Sequence, residues 1–313
     1  NNGGTTMSAE AKELPAMATN RRRRGLRRPL LLPGASPLRS VIENAKVELI
    51  PMKSLERAIS ELAPASHISM TCSPAKTIET TLDETAALVA AGHSVTPHIS
   101  ARMVQTHDHL RQILDRLAVI GTREIFVVGG DADPPGCFFD AIEFIAALIA
   151  LDDSNENPVV DHIGYTSYPD THPFITNEQL HDALHVKQKM ILESGRTAHV
   201  STQMCFSSDQ IRDWLRRERA AGLTIPVHLG VPGVIDKAKL MTMGVRLGVG
   251  TSLRYLSKNK KALGKMMTQR AFEPDQLLKP LAPHLEELGI GGIHLYTFNQ
   301  VATTEAWRQK TLA

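Results

Sequence analysis

The feature that most limits what this chain can fold into is a rhythm. Short apolar runs rich in β-branched residues recur at 47–51, 67–72, 94–100, 124–131, 162–169, 197–203, 224–232 and 292–299. The run at 124–131 is the clearest. Ile125, Phe126, Val127 and Val128 follow without interruption, which is the pattern of a strand covered on both faces in a parallel sheet. Gly129 and Gly130 come next, then Asp131, and Pro134 and Pro135 forbid the strand to continue. Between the runs the spacing turns helical. Leu110, Ile113, Leu114 and Leu117 step by three and four. Ile211, Trp214 and Leu215 follow the capping pattern Ser207-x-x-Gln210, and Thr176-x-x-Gln179 opens a helix with Leu180, Ala183 and Leu184. Gly121, Gly195, Gly222, Gly244 and Gly289 fall where helices should stop.

About eight strands alternating with helices over roughly 265 residues predict an α/β fold of the (β/α)8 TIM-barrel type. A doubly wound open sheet is the runner-up, but no G-x-G-x-x-G follows the first strand. Gly230 and Gly248-Val-Gly250 lie after the seventh strand, where barrels often build a phosphate site, so a phosphate-binding lyase is a rival reading. No lysine stands at a predicted strand end to form a Schiff base.

Charge is unevenly placed. The chain carries 35 Lys/Arg and 33 Asp/Glu; eight of the former and two of the latter fall in residues 1–40, which leaves residues 41–313 at −4. The body therefore offers no overall basic field to nucleic acid. Residues 1–40 form a separate basic arm with Arg21–Arg24, Arg27 and Arg28, expected to be disordered or draped on the surface. Its first six residues resemble a linker remnant, with Met7 the expected start. A tether for nucleic acid or membrane, or a targeting peptide, is the alternative to a solubilising tail. Residues 41–313 make the catalytic barrel. Cys72, Cys137 and Cys205 form no even framework, which points to a reducing, cytoplasmic setting. No run of about 18 apolar residues predicts a membrane span.

Polar residues collect at the predicted strand ends: Glu48, Thr71, His98, Asp131, Tyr168 with His172, Gln203, His228, and Tyr296 with Asn299. Each alone has a structural explanation, since a strand Glu can be paired and a core His hydrogen-bonded. Eight strands delivering polar groups to one rim are harder to explain by stability, because every buried polar group needs a partner. A polar ligand in the barrel mouth would provide them.

In order, Val-Glu-Leu-Ile-Pro, Ile-Ser-Met-Thr-Cys, Thr-Pro-His, Val-Gly-Gly-Asp, Tyr-Pro-Asp-Thr-His-Pro, Ser-Thr-Gln-Met, Pro-Gly-Val and His-Leu-Tyr-Thr-Phe-Asn resemble the strand motifs of the methylenetetrahydrofolate reductases. The likeness runs from about Val47 to Asn299 and leaves the arm outside. It implies a flavoprotein that interconverts 5,10-methylenetetrahydrofolate and 5-methyltetrahydrofolate, with FAD, with NADH or NADPH as co-substrate, and with subunits that associate. By resemblance Glu48 is the acid that protonates folate as its methylene bridge opens, and Asp131 lies beside flavin and pterin. Gln203 pairs with the pterin edge. Thr71, His98, Ala141, Thr166, Tyr168, His172 and Tyr296 contact FAD. Counted with a one-residue insertion after His172, Asp182, His185 and Lys189 fall on the FAD-binding helix, with Lys189 toward the pyrophosphate. This chain departs from many members at Gly129, where an arginine is usual, at His185 (an asparagine in some), and at Gln188 (an arginine in some). Asp140 stands where an aromatic packs near adenine, with Phe139 beside it. The loop 253–256 should cover the folate tail. A flavin-free homologue acting as a binding subunit is the second alternative.

Overall fold

The computed structural model describes residues 37–246 and 271–313. The loop expectations at 248–250 and 253–256, and nearly all of the arm, lie outside the described residues. The first helix, α1 (Pro37–Glu43), begins inside the stretch assigned to the arm and buries Val41 and Ile42. The barrel body therefore starts earlier than residue 41.

Eight parallel strands close into a barrel, as the rhythm predicts. They are β1 (Lys46–Leu49), β2 (His67–Met70), β3 (Ser94–Ser100), β4 (Glu124–Val128), β5 (His162–Ser167), β6 (Thr197–Thr202), β7 (Val227–Pro232) and β10 (Ile290–Tyr296). β10 pairs with both β1 and β7 and so seals the ring. A two-stranded ribbon of β8 (Ile235–Asp236) and β9 (Ala271–Phe272) stands apart from it. The helices between the strands include α2 (Leu55–Ser60), α3 (Ile78–Ala90), α4 (His107–Ile120), α5 (Ala141–Asp153), α6 (Asn177–Glu193) and α7 (Ser208–Ala220).

Local signals explain these elements. The Thr176 hydroxyl accepts from Gln179 N while the Gln179 side chain accepts from Thr176 N, a complete capping box that starts α6. Ser207 caps α7 by accepting from Gln210 N. Gly121 ends α4 at φ 81, a conformation that costs an L-residue free energy. Gly244, expected as a stop, lies instead within the helix Lys237–Arg246. Outward-facing strand residues such as Ile125, Val127, Ile163, Tyr165, Val200 and Leu229 pack under the helices in one apolar core.

The barrel interior is mostly polar and aromatic. Near its floor Lys46 pairs with Glu124 and donates to Thr96 Oγ1. Above lie His98, Phe126, His199, His228 and His294, with His199 stacked on His228 at 4.1 Å between ring centres. Glycines on neighbouring strands make room for these rings. A Cβ on Gly164 would come within 2.4 Å of His199, and one on Gly292 within 2.7 Å of His228. Burial drives the His98, His199 and His228 imidazoles well below their ordinary pKa, so they sit neutral in the core.

Candidate active site

Glu48 faces inward from β1 and is buried, with its Oε2 2.8 Å from His294 Nε2. The segment after β10 holds that strand in place. Thr297 Oγ1 donates to Glu48 O at 2.6 Å. The Asn299 side chain accepts from Ile50 N and donates to Ile50 O, both at 2.9 Å. Asn299 adopts φ 59, a left-handed conformation that asparagine tolerates better than most residues. The Tyr-Thr-x-Asn motif thus clamps the strand that carries the acid.

Tyr296, next along, donates its hydroxyl to Thr202 O at 2.9 Å. Its pKa is held well above the ordinary value by burial, then by the charges of Glu48 and Tyr168, so it remains a proton donor. Tyr168 is raised by burial, against a bond from Thr166, with Asp131 adding to the rise. His172 packs edge-on to Tyr168 at 5.1 Å, and burial lowers its pKa against the pull of Asp131. Glu48, Tyr296, Tyr168 and Asp131 all lie at or just beyond the carboxyl ends of their strands. Asp131 is exposed at the top of β4 and Glu48 is buried, so the two carboxyl groups sit in different surroundings.

The remaining expected residues divide. Thr71 and Gln203 lie at the ends of β2 and β6, where Gln203 Oε1 accepts from Met204 N. His98 is deeper than a mouth residue: it is enclosed below the rim and bonded to Ser69 Oγ at 2.6 Å. Ala141 begins α5, and Asp140 caps that helix by accepting from Ile142 N and Glu143 N. Phe139 is exposed, with the Arg102 guanidinium 5.0 Å above its ring. Arg102 also donates to Ala132 O and so braces the loop that bears Asp131.

The three residues expected on α6 lie outside the adjoining cavity. Asp182 and Lys189 are exposed, and Lys189 faces Glu193 across the helix surface. His185 turns to α7 and bonds Glu218. None of the three lines the adjoining cavity of about 460 Å3, whose wall includes Thr166, Tyr168, Leu180, Leu184 and Lys187. Two cationic side chains, Lys187 and Arg217, stand on the cavity wall; Lys187 is 7% exposed, with its Nζ 4.6 Å from the centre of the Tyr165 ring. Burial lowers its pKa to about 8, opposed by the charge of Asp140. A signal for it existed: Leu184, Lys187 and Ile191 form one stripe at helical spacing, so Lys187 lies on the inward face.

The mouth has a chemistry that invites a flat polar ligand. Thr71 Oγ1, Ser100 Oγ and Ser201 Oγ are buried without a hydrogen-bond partner among the described residues. Gly129 has open space around it, whereas a Cβ on Gly130 would come within 1.9 Å of Ser100 Oγ. Orphaned hydroxyls beside open space suit the carbonyl and N–H edges of an isoalloxazine or a pterin, so the residues fit FAD.

A closed parallel barrel with acid, tyrosines and unpartnered hydroxyls at the carboxyl ends of its strands is a (β/α)8 barrel with a polar mouth. The chain belongs to the methylenetetrahydrofolate reductase family, whose model matches residues 43–309. Among solved structures it is similar to 2,3-dimethylmalate lyase, a PEP mutase/isocitrate lyase superfamily member, at 10% identity and TM-score 0.41, covering 81% of this chain and 94% of that one. Tryptophan synthase from M. tuberculosis is similar at 12% identity and TM-score 0.42, over 89% of this chain and 99% of that one. Likeness at that level carries no functional argument.

Proposed function

We propose that this chain interconverts 5,10-methylenetetrahydrofolate and 5-methyltetrahydrofolate, with FAD in the barrel mouth and NADH or NADPH as the other hydride partner. The observation that carries the reading is the buried Glu48, held by His294 at 2.8 Å, in a member of this family. FAD, when bound, supplies a ring that takes a hydride from one flat substrate and gives it to the next.

Each residue then has a task. Glu48 delivers a proton to the folate nitrogen that leaves as the methylene bridge opens to an iminium, and His294 fixes the direction in which its Oε2 points. Asp131 places a negative charge at the mouth, where the cationic folate develops. Gln203 presents its amide to the pterin edge. Thr71, Thr166, Tyr168, His172 and Tyr296 line the flavin site, with His98 supporting it from below and Ala141 toward the adenine. Lys187, in place of Lys189, meets the pyrophosphate as a point charge. The protein mainly orients two flat substrates in turn against one ring.

The test is an absorption spectrum of the purified protein before and after anaerobic addition of 5-methyltetrahydrofolate. The expected result is an oxidised-flavin spectrum that bleaches on addition. A colourless protein that takes up no added FAD would contradict the proposal.

A further inference from the structure

We propose that the face between α6 and α7 is a binding site for a borderline divalent transition metal, zinc first, with His181, His185 and Glu218 as ligands. His181 Nδ1 lies 2.8 Å and His185 Nε2 3.0 Å from the same oxygen, Glu218 Oε2. The three ligand atoms lie within 4.8 Å of one another. Ligands about 2.0 Å from a tetrahedral zinc stand about 3.3 Å apart, so small rotations of the two rings would admit the ion. His181 and His185 are one helical turn apart on α6, the spacing at which two imidazoles share a face. The third ligand comes from a different helix, which fixes the geometry against the core.

Charge argues in the same direction. Glu218 is 5% exposed, and among the described residues no Lys or Arg pairs with it. The carboxylate meets the two imidazoles and no ammonium or guanidinium, so a dication at this point would be held by one carboxylate oxygen and two ring nitrogens. His181 and Glu218 stand in the wall of the 460 Å3 cavity, which leaves a fourth position open to water or an anionic ligand. Borderline nitrogen and oxygen donors favour zinc, cobalt, nickel or copper over magnesium and calcium.

Two other groups share this ligand composition, Glu48–His98–His294 and Glu124–His162–His199, both inside the barrel. Lys46 pairs with Glu124, and its positive charge bears on His98, His162 and His199. That ammonium opposes a dication in the barrel, whereas none pairs with Glu218.

The test uses the full chain stripped with a chelator, titrated with Zn2+ by calorimetry and with Co2+ by visible absorption. The expected result is one equivalent of Zn2+ bound at micromolar affinity or tighter, and Co2+ bands of a four- or five-coordinate site. His185→Asn and Glu218→Gln should each weaken binding by at least about tenfold. The His181 side chain is 43% exposed, so His181→Asn serves as the variant that leaves folding intact, checked by circular dichroism without metal. It should weaken binding to a similar degree. No stoichiometric binding by the unmodified chain, or undiminished affinity in His181→Asn, overturns the proposal. None of these readouts depends on flavin or folate.

Discussion

The Glu48 carboxylate is bonded to His294 Nε2 at 2.8 Å, and both side chains lie on the inner wall of the barrel on adjacent strands. A buried acid therefore points where a neighbouring ring directs it, just below the mouth.

If His294 orients Glu48, His294→Asn should slow the folate half-reaction by about a hundredfold, in the range of a displaced general acid. Reduction of the enzyme by NADH or NADPH should change little. Stopped-flow traces of the two half-reactions separate the effects, and an equal fall in both would assign His294 to flavin binding instead.

The Asn299 clamp makes a stability prediction. Its amide bonds Ile50 N, Ile50 O and Ser54 Oγ from a buried position. Asn299→Ala strands the two backbone groups and should cost about 2–3 kcal/mol in urea unfolding. A loss within experimental noise would show that the segment is held by other contacts.

Lys187 should trade stability against cofactor retention. Its folded pKa of about 8 lies below the ordinary lysine value of 10.5. Below pH 8 both states carry the proton and the buried charge destabilises the fold; stability rises as pH climbs from 8 toward 10.5 and the folded amine turns neutral first. Lys187→Met should therefore stabilise the FAD-free protein by about 1–3 kcal/mol at pH 7, an advantage that fades above pH 8. The same variant should bind FAD more weakly. Tighter FAD binding by Lys187→Met would refute the role given to the lysine.

The neutral core histidines set an acid limit. His98, His199 and His228 have folded pKa values well below 6.5, so unfolding takes up protons as the pH falls below about 6.5. Stability should then drop by up to about 4 kcal/mol per pH unit for three protons, and be fully present above that range. Urea titrations from pH 7 to 5 measure the slope; a slope of less than one proton would mean that these rings are charged in the fold.

The barrel was legible because its signals are local. Apolar runs of strand length, the Thr176 and Ser207 caps and glycines such as Gly121 each follow from a few neighbouring residues. The strand-end polar residues were legible as a set for the same reason. Depth was not: His98 appears beside a strand end in sequence, yet barrel stagger sets it under the rim, packed on Phe126 from the next strand. On α6 the Leu184–Lys187–Ile191 stripe marks the buried face, whereas Asp182 and Lys189 are exposed. The Glu218 partnership with His181 and His185 joins residues more than 30 positions apart, and no local pattern in α7 announces it.

In the proposed function Glu48 gives folate its proton and takes no part in nicotinamide oxidation. Glu48→Gln keeps the shape of the side chain and removes the acid, and the rates of the two half-reactions measure its role directly. The expected result is that 5-methyltetrahydrofolate no longer reduces the bound flavin while NADH or NADPH still does so at nearly the original rate. Loss of both half-reactions together, or survival of both, would contradict it.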